Sequence, residues 1–396
     1  MDGPQAPPRG AHRLVRADPR EATVSPLELF FDLVFVFALT QVTAFLAEEP
    51  TFAQLGRGLV VLAIIWWAWS GYTWLTSTVD PELILPRLVM FAAMGAMLVV
   101  ALATPGAFTG DGVLWGLGYL AVRLLHAALF ALAARDDPAL GRAVLSLVAS
   151  LVPGAGLVIL ASAAFDGSTR DLLWVGAVIL DYGIVLGIGA EGWHVHARHF
   201  AERFGLVILI ALGESIVAIG VGAEKVDLNG AVVLAALLAV GIACALWWAY
   251  FDVVAVVAEQ RFSAATGGDQ VRMARDSYAL LHLPMISGIV LFALGVKKVI
   301  EHTGDPLKDM PAVALCGGIA LYFLAHVGFR LRNVGSVGWA RIAAAVVCLA
   351  VIPVAMRAAG IAVLAMLLGV CVALIAYEVA RYADARARIR AERIGH

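Results

Sequence analysis

Twelve long apolar segments take up most of this chain, at about 27–47, 53–75, 84–104, 112–134, 142–164, 171–190, 201–222, 228–257, 277–299, 311–331, 338–356 and 360–380. A hydrocarbon core about 30 Å thick takes roughly 20 apolar residues as a helix, so each segment is long enough to cross it. Hydrophobic residues make up 62% of the chain and charged residues 15%, with a mean hydropathy of +0.89. Soluble domains carry about a quarter charged residues, so lipid is the expected solvent. The Leu, Ala and Val runs are continuous rather than alternating, and helices rather than a barrel then satisfy the backbone in lipid. The expected fold class is all-α: a polytopic membrane protein of about twelve transmembrane helices.

Basic residues near span ends stay on the cytoplasmic side. Twelve spans put both termini on one side, together with Arg87, Arg135, Arg142, Arg198, Arg203, Arg261, Arg272, Arg275, Arg330, Arg332, Arg341 and the arginines of the two tails. The other side carries Arg57, Arg170, Lys225, Lys297, Lys298, Lys308 and Arg357. Both termini are expected to be cytoplasmic. The first 20 residues are polar and Pro- and Arg-rich, without an apolar signal core, so the first span is expected to direct insertion. Cys244, Cys316, Cys348 and Cys371 sit singly within apolar segments, a spacing that supports neither a disulfide framework nor a thiolate metal site.

The chain repeats itself. The stretch Leu33 to Gln41 returns as Leu206 to Glu214, Trp66-Trp67-Ala68-Trp69 as Trp247-Trp248-Ala249-Tyr250, His126 as His326, and Arg142 with Pro153 as Arg341 with Pro353, all in chain order. This divides the sequence into a basic tail 1–21, a first six-helix repeat 22–190, a His-rich linker 191–200, a second six-helix repeat 201–382 and a basic tail 383–396. Repeats with an even number of spans insert in parallel and are related by an axis along the membrane normal, where substrate sites of duplicated membrane proteins commonly form. The first helix of each repeat carries the most polar residues and is the candidate to line that axis.

Ser25-Pro26-Leu27-Glu28 reads as a helix start, with Ser25 as N-cap and Glu28 closing a capping box. Asp32 lies one turn deeper on the same face, and Gln41 roughly 20 Å further along. In the seventh span Glu202 and Arg203 are expected at the cytoplasmic edge as ordinary surface charges, and Glu214 and Ser215 deep in the membrane, level with Gln41. An ionisable side chain at that depth is a functional candidate by default. Gly205, Gly213, Gly220 and Gly222 around it suggest a thin helix face for close contact or a kink. Arg123, His126, Asp181, Asp252, His282, His326 and Glu378 are further intramembrane polar groups. Arg123 and His126 share a helix face and could neutralise Asp32 or Glu214 across the bundle.

His194, His196 and His199 with Glu191 and Glu202 flank the linker, in a spacing that matches no strong metal signature; neither metal nor cofactor is expected. No phosphate-cradling loop, H-E-x-x-H or G-x-S-x-G occurs, and the loops are too short for a catalytic domain. The chain reads as a non-enzyme, and an intramembrane enzyme using His and carboxylate residues ranks last.

On the residues Leu27 to Gln41 and His199 to Leu206 through Leu212-Gly213-Glu214-Ser215, the chain resembles the low temperature requirement A family of bacterial membrane proteins. The resemblance covers about 22–382. It implies a membrane location and carries no biochemical activity with it. The pattern from Leu27 to Thr40 is also similar to the first-helix motif of the lysosomal-type potassium channel family. That similarity implies a pore helix oriented by Asp32, with the apolar residues after it forming the constriction. Phe31 stands where that motif has serine, and Gly205 where Asp32 would recur.

Passage of a small cation or proton-coupled solute is the leading expectation, through a polar path of Glu28, Asp32, Gln41, Arg123, His126, Asp181, Glu202, Arg203, Glu214, Ser215, His282 and His326. The alternative is a non-transporting membrane sensor or assembly or stress-adaptation protein whose buried charges are structural. The expected partners are the bilayer, the permeating solute and, in a homo-oligomer, further copies of the chain; nucleic acid is not among them.

Overall fold

The computed structural model describes Leu14 and residues 23–187, 192–193, 195–384 and 386–387. Most of both tails, and Glu191 and His194 of the linker, lie outside the described residues. The described residues are helical throughout, apart from short connections and one isolated bridge between Pro306 and Ala359.

Helices α1 (Pro26–Glu48), α2 (Phe52–Thr78), α3 (Ile84–Ala103), α4 (Gly112–Ala133), α5 (Pro138–Ala164) and α6 (Gly167–Gly187) form a first set. The second comprises α7 (Ala197–Ala223), α8 (Gly230–Phe251), α9 (Val254–Ala264), α10 (Gly267–Met273), α11 (His282–Glu301), α12 (Asp309–Val334), α13 (Trp339–Ala350), α14 (Ile352–Ala355) and α15 (Gly360–Arg381). Local chemistry sets several boundaries. Ser25 caps α1 in the expected box with Glu28, Thr51 caps α2, Asp137 and Pro138 start α5, and Asn229 caps α8. Gly335, at φ 71°, ends α12 in the left-handed region that favours glycine.

Among the described residues, ten helical stretches are long and apolar enough to cross a membrane. The other two expected spans are helical but different in kind. α6 contains Arg170, Asp171 and Asp181, and the eleventh segment is the shorter Trp339–Ala355, interrupted before Pro353. The eighth span runs on as α9 beyond a break at Asp252, and the ninth begins in a π-helical turn, Ala274–Leu280. Large apolar side chains such as Leu102, Leu145, Leu172 and Leu237 are exposed on the bundle's outside, as a lipid-facing surface requires.

Within the first set α1 packs on α2 and α3, α3 on α4, α4 on α5 and α5 on α6. Within the second, α7 packs on α8 and α11, α11 on α12, α12 on α13, and both α8 and α13 on α15. The sets meet where α1 and α2 touch α7 and α11. The tightest backbone approach is not beside Glu214. Gly213 and Gly220 face open space, a Cβ on Gly205 would lie an ordinary 3.6 Å from Phe251, and of these four only Gly222 is crowded, where a Cβ would lie 3.1 Å from Ile300. The small residues that matter are Gly288 on α11 and Gly318 on α12: a Cβ on either would lie 2.6 Å from the other's carbonyl oxygen. The absence of a side chain at both positions lets the two backbones approach closely.

Candidate functional site

The junction of α1, α2 and α7 holds an ion cluster without solvent exposure. Arg203 Nη2 donates to Asp32 Oδ1 at 2.6 Å, and Nη1 donates to Glu28 Oε1 at 2.9 Å and to Thr76 Oγ1 at 3.2 Å. Trp69 Nε1 donates to the same Asp32 oxygen at 2.8 Å, and His199 Nε2 donates to Glu28 at 3.0 Å. Glu28 therefore has two tasks, since its Oε2 also accepts from the Ser25 amide at 2.9 Å and closes the cap. The cap fixes the first turn of α1, and that turn presents both carboxyls to α7.

This corrects two expectations. Arg203 is fully buried and pairs with both carboxyls of α1, whereas Glu202, its neighbour in sequence, faces outward as expected. The helical period makes the difference: adjacent residues point about 100° apart, so one lies at the α1–α7 seam and the other outside it. His199 belongs to α7 and to this cluster, one turn before Arg203, rather than to a free linker. His196 is the N-cap residue of α7, and its amide donates to Ser77 Oγ at 2.9 Å.

Arg123 and His126 do not reach Asp32 or Glu214. Arg123 lies 3.7 Å from Asp181 Oδ1, and its Nη1 donates to Tyr119, which in turn donates to Asp181 Oδ2 at 2.6 Å. His126 donates through Nε2 to the Gly71 carbonyl at 2.9 Å. α4 packs on α2, α3 and α5, and α2 in turn touches α7, so Arg123 is neutralised within the first set. Apart from Arg203, the buried arginines of the second set also pair within it. Arg341 grips Glu378 with two hydrogen bonds of 2.8 and 3.0 Å and donates to His326 Nδ1 at 2.6 Å, Asp252 pairs with Arg386, and His282 bridges Tyr250 and the Ser277 carbonyl.

Glu214 is the exception. Of the four buried carboxyls among the described residues, Glu28, Asp32 and Asp181 each face a guanidinium. Glu214, 2% exposed, meets the Thr40 hydroxyl of α1, which donates to its Oε2 at 2.6 Å. Gln41, the expected partner level, is half-buried with no side-chain hydrogen bond among the described residues, and Ser215 turns back to donate to the Leu212 carbonyl. Lys297 of α11 acts on Glu214 electrostatically without forming an ion pair. The Thr40 hydroxyl has one proton and a second acceptor in reach, the Val36 carbonyl at 3.2 Å. An ionised Glu214 accepts from Thr40; a protonated Glu214 donates to Thr40, whose proton then goes to Val36. Both states keep every group bonded.

The ion cluster and the Glu214–Thr40 pair stand about 16 Å apart along α7, by the rise of the helix. Aromatic side chains fill the interval. Trp66 and Trp69 lie 5.0 Å apart, Phe35 is 5.5 Å from Trp69, and Phe204 is 5.0 Å from Trp69 and 5.8 Å from Trp66. Trp66 donates through Nε1 to Ala279 at the end of the π-helical turn, at 2.7 Å. The echo of this tryptophan run behaves otherwise: Trp247 and Trp248 are exposed on the outer surface, and of that quartet's three rings only Tyr250 is buried. The candidate residues thus fall into separate clusters rather than one path, and the contributions of Trp69, Thr40 and Thr76 went unread. Thr40 was the legible one, lying beside Gln41 in the motif of the first helix.

Comparison with known proteins agrees with the motifs of α1 and α7. The family model of the bacterial low temperature requirement A protein matches residues 23–376. A relative from Rhizobium meliloti (strain 1021), named uncharacterized protein RA0937, is 30% identical over 327 residues, covering 78% of each chain. No solved structure matches the chain. With the family model spanning nearly every helix, and both the α1 cap-and-carboxyl turn and the Glu214 segment inside it, this chain belongs to the low temperature requirement A family of bacterial membrane proteins.

Proposed function

We propose that the protein passes a small cation, or a solute coupled to protons, across the bacterial cytoplasmic membrane, with Glu214 and Thr40 as the binding site. The observation that carries this reading is the pairing of charges. Among the described residues every other buried carboxyl has an arginine, and Glu214 has a hydroxyl that serves it equally well charged or protonated. An intramembrane carboxyl without a fixed counter-ion is costly, and a transient cation or proton supplies what the fold omits.

The Arg203 cluster closes the cytoplasmic end of this path, and the rings of Phe35, Trp66 and Phe204 close its middle, so passage requires α1 and α2 to move against α7 and α11. In this reading the chain is two parallel six-helix repeats with both termini cytoplasmic, which the shared packing order of the two helix sets supports. The chemistry is not enzymatic, and nucleic acid is not a partner.

A second reading rests on the same closure. The Glu28–Asp32–Arg203–His199 cluster is buried and ties α1 to α7, with only Asp32 Oδ2, Arg203 Nε and His199 Nδ1 of its polar atoms left without hydrogen bonds among the described residues, as a sensor or assembly protein with structural charges requires. Proton and cation flux into liposomes loaded with the purified chain separates the two. Flux that disappears in Glu214→Gln supports permeation; flux equal to that of empty vesicles under proton, sodium and potassium gradients overturns it.

A further inference from the structure

A cavity of about 90 Å³ opens between α2, α4, α5 and α6 of the first set and the α10–π-helical segment of the second. Its polar groups are at odds with an apolar void. Two of its lining side chains, Arg123 and His126, are each 2% exposed and carry atoms without hydrogen-bond partners: Nε and Nη2 of Arg123, and Nδ1 of His126. Buried donors and acceptors are rarely left unpaired.

The two open atoms of Arg123 form one edge of the guanidinium. That edge grips a carboxylate elsewhere in this chain: Nε and Nη2 of Arg57 hold Asp171 at 2.9 and 3.0 Å, and those of Arg341 hold Glu378 at 2.8 and 3.0 Å. Arg123 spends only Nη1, on Tyr119, and Asp181 stays 3.7 Å from Nη2. A fork of two parallel donors fits a carboxylate or phosphate. Beside it, His126 must carry its proton on Nε2, because that atom faces a carbonyl, and Nδ1 is left as an acceptor. In the second set the matching atom is already taken: His326 Nδ1 accepts from Arg341, although His326 Nε2 has no partner among the described residues.

The walls and mouth fit an anion with an apolar body. Trp67, Trp74 and Trp193 line the cavity, and Arg272, exposed, and Arg275, half-buried, stand in the segment that borders it. Arg272 pairs with Asp269, and Asp276 is shared by Arg275 and Arg332, so three arginines meet two carboxylates along this border.

We propose that this cavity is a binding site for a carboxylate or phosphate carried on an apolar body, its oxyanion held by the Nε–Nη2 edge of Arg123, its body against the tryptophans, and a hydroxyl or water donating to His126 Nδ1. A soluble organic acid and an anionic lipid headgroup share this chemistry. The site is independent of the Glu214 reading and stands or falls separately.

The test uses the full chain in phosphatidylcholine nanodiscs, with benzoate as the probe, benzylammonium as its charge-reversed control, and tryptophan fluorescence as the readout. Saturable quenching by benzoate alone is expected, weakened about tenfold or more in Arg123→Lys, which loses the fork and keeps the charge. Ala143→Leu fills the cavity without touching the Arg123–Asp181 pair and is expected to weaken binding as much, which keeps the test decisive if Arg123→Lys fails to fold. Benzoate affinity unchanged by added phosphatidylglycerol assigns the site to soluble acids. Competition by that lipid, or its selective retention on the wild type and not on Ala143→Leu, assigns it to headgroups. Equal response to benzoate and benzylammonium, binding indifferent to Ala143→Leu, or neither benzoate binding nor lipid retention overturns the proposal.

Discussion

Arg203 on α7 holds Asp32 on α1 at 2.6 Å, in a site without solvent, and the same guanidinium reaches Glu28 one turn earlier. The bond joins the two helix sets at the end where both α1 and α7 begin. Replacing Arg203 by Met leaves two buried carboxyls without their cation, which costs about 3–5 kcal/mol by the behaviour of buried pairs broken on one side. Thermal unfolding in detergent is expected to register that loss, and the triple variant Glu28→Gln, Asp32→Asn, Arg203→Met to recover much of it. A single variant as stable as the wild type would contradict the role of the pair.

Trp69 contributes a hydrogen bond as well as a ring. In Trp69→Phe the packing against Phe35 and Phe204 is largely kept while Asp32 loses the Nε1 donor, at a cost of about 1–3 kcal/mol for an under-satisfied buried acceptor. Trp67, which stacks on Tyr182 at 4.1 Å, is the control: Trp67→Phe deletes the same ring atoms without stripping a buried carboxyl of a donor, and is expected to cost less than Trp69→Phe by about that amount. Paired melts of the two variants check the order.

Glu214→Gln separates stability from activity. The amide can still meet the Thr40 hydroxyl, so the melting midpoint is expected to hold while proton or cation flux in proteoliposomes is lost. Thr40→Val removes that partner and is expected to cost about 1 kcal/mol and to reduce flux. Retained flux in both variants removes Glu214 from the path.

Glycines give a prediction with opposite signs. Gly288→Ala places a Cβ 2.6 Å from the Gly318 carbonyl oxygen and 2.9 Å from the Tyr322 amide nitrogen, both backbone atoms, and overpacking of this kind costs about 1–3 kcal/mol or more. Gly213→Ala meets open space within a helix and is expected to stabilise by up to about 1 kcal/mol. Unfolding midpoints moving in the same direction for both would refute the assignment of α11 and α12 as the close-packed pair.

What the sequence determined by itself is the part that depends on solvent and local period. Continuous apolar runs dictate helices in lipid, Ser25-Pro26-Leu27-Glu28 dictates where α1 begins, and the motifs of the first and seventh helices place the chain in its family. It also singled out Glu214 and Asp32, because a carboxyl in an apolar run is visible without a fold. The tertiary structure alone decided the partners. Arg203 and Glu202 are adjacent and chemically ordinary at a membrane edge, and only the rotation of α7 against α1 sends one into the seam and the other outside. Arg123 turned to Asp181 rather than across the bundle, and Thr40 rather than Gln41 met Glu214, because hydrogen bonds act over about 3 Å while a sequence fixes only which turn of a helix a residue occupies. Depth in the membrane is a one-dimensional property that the chain spells out; the choice of counter-ion is set by which helix faces meet, and that exists only once the helices have packed.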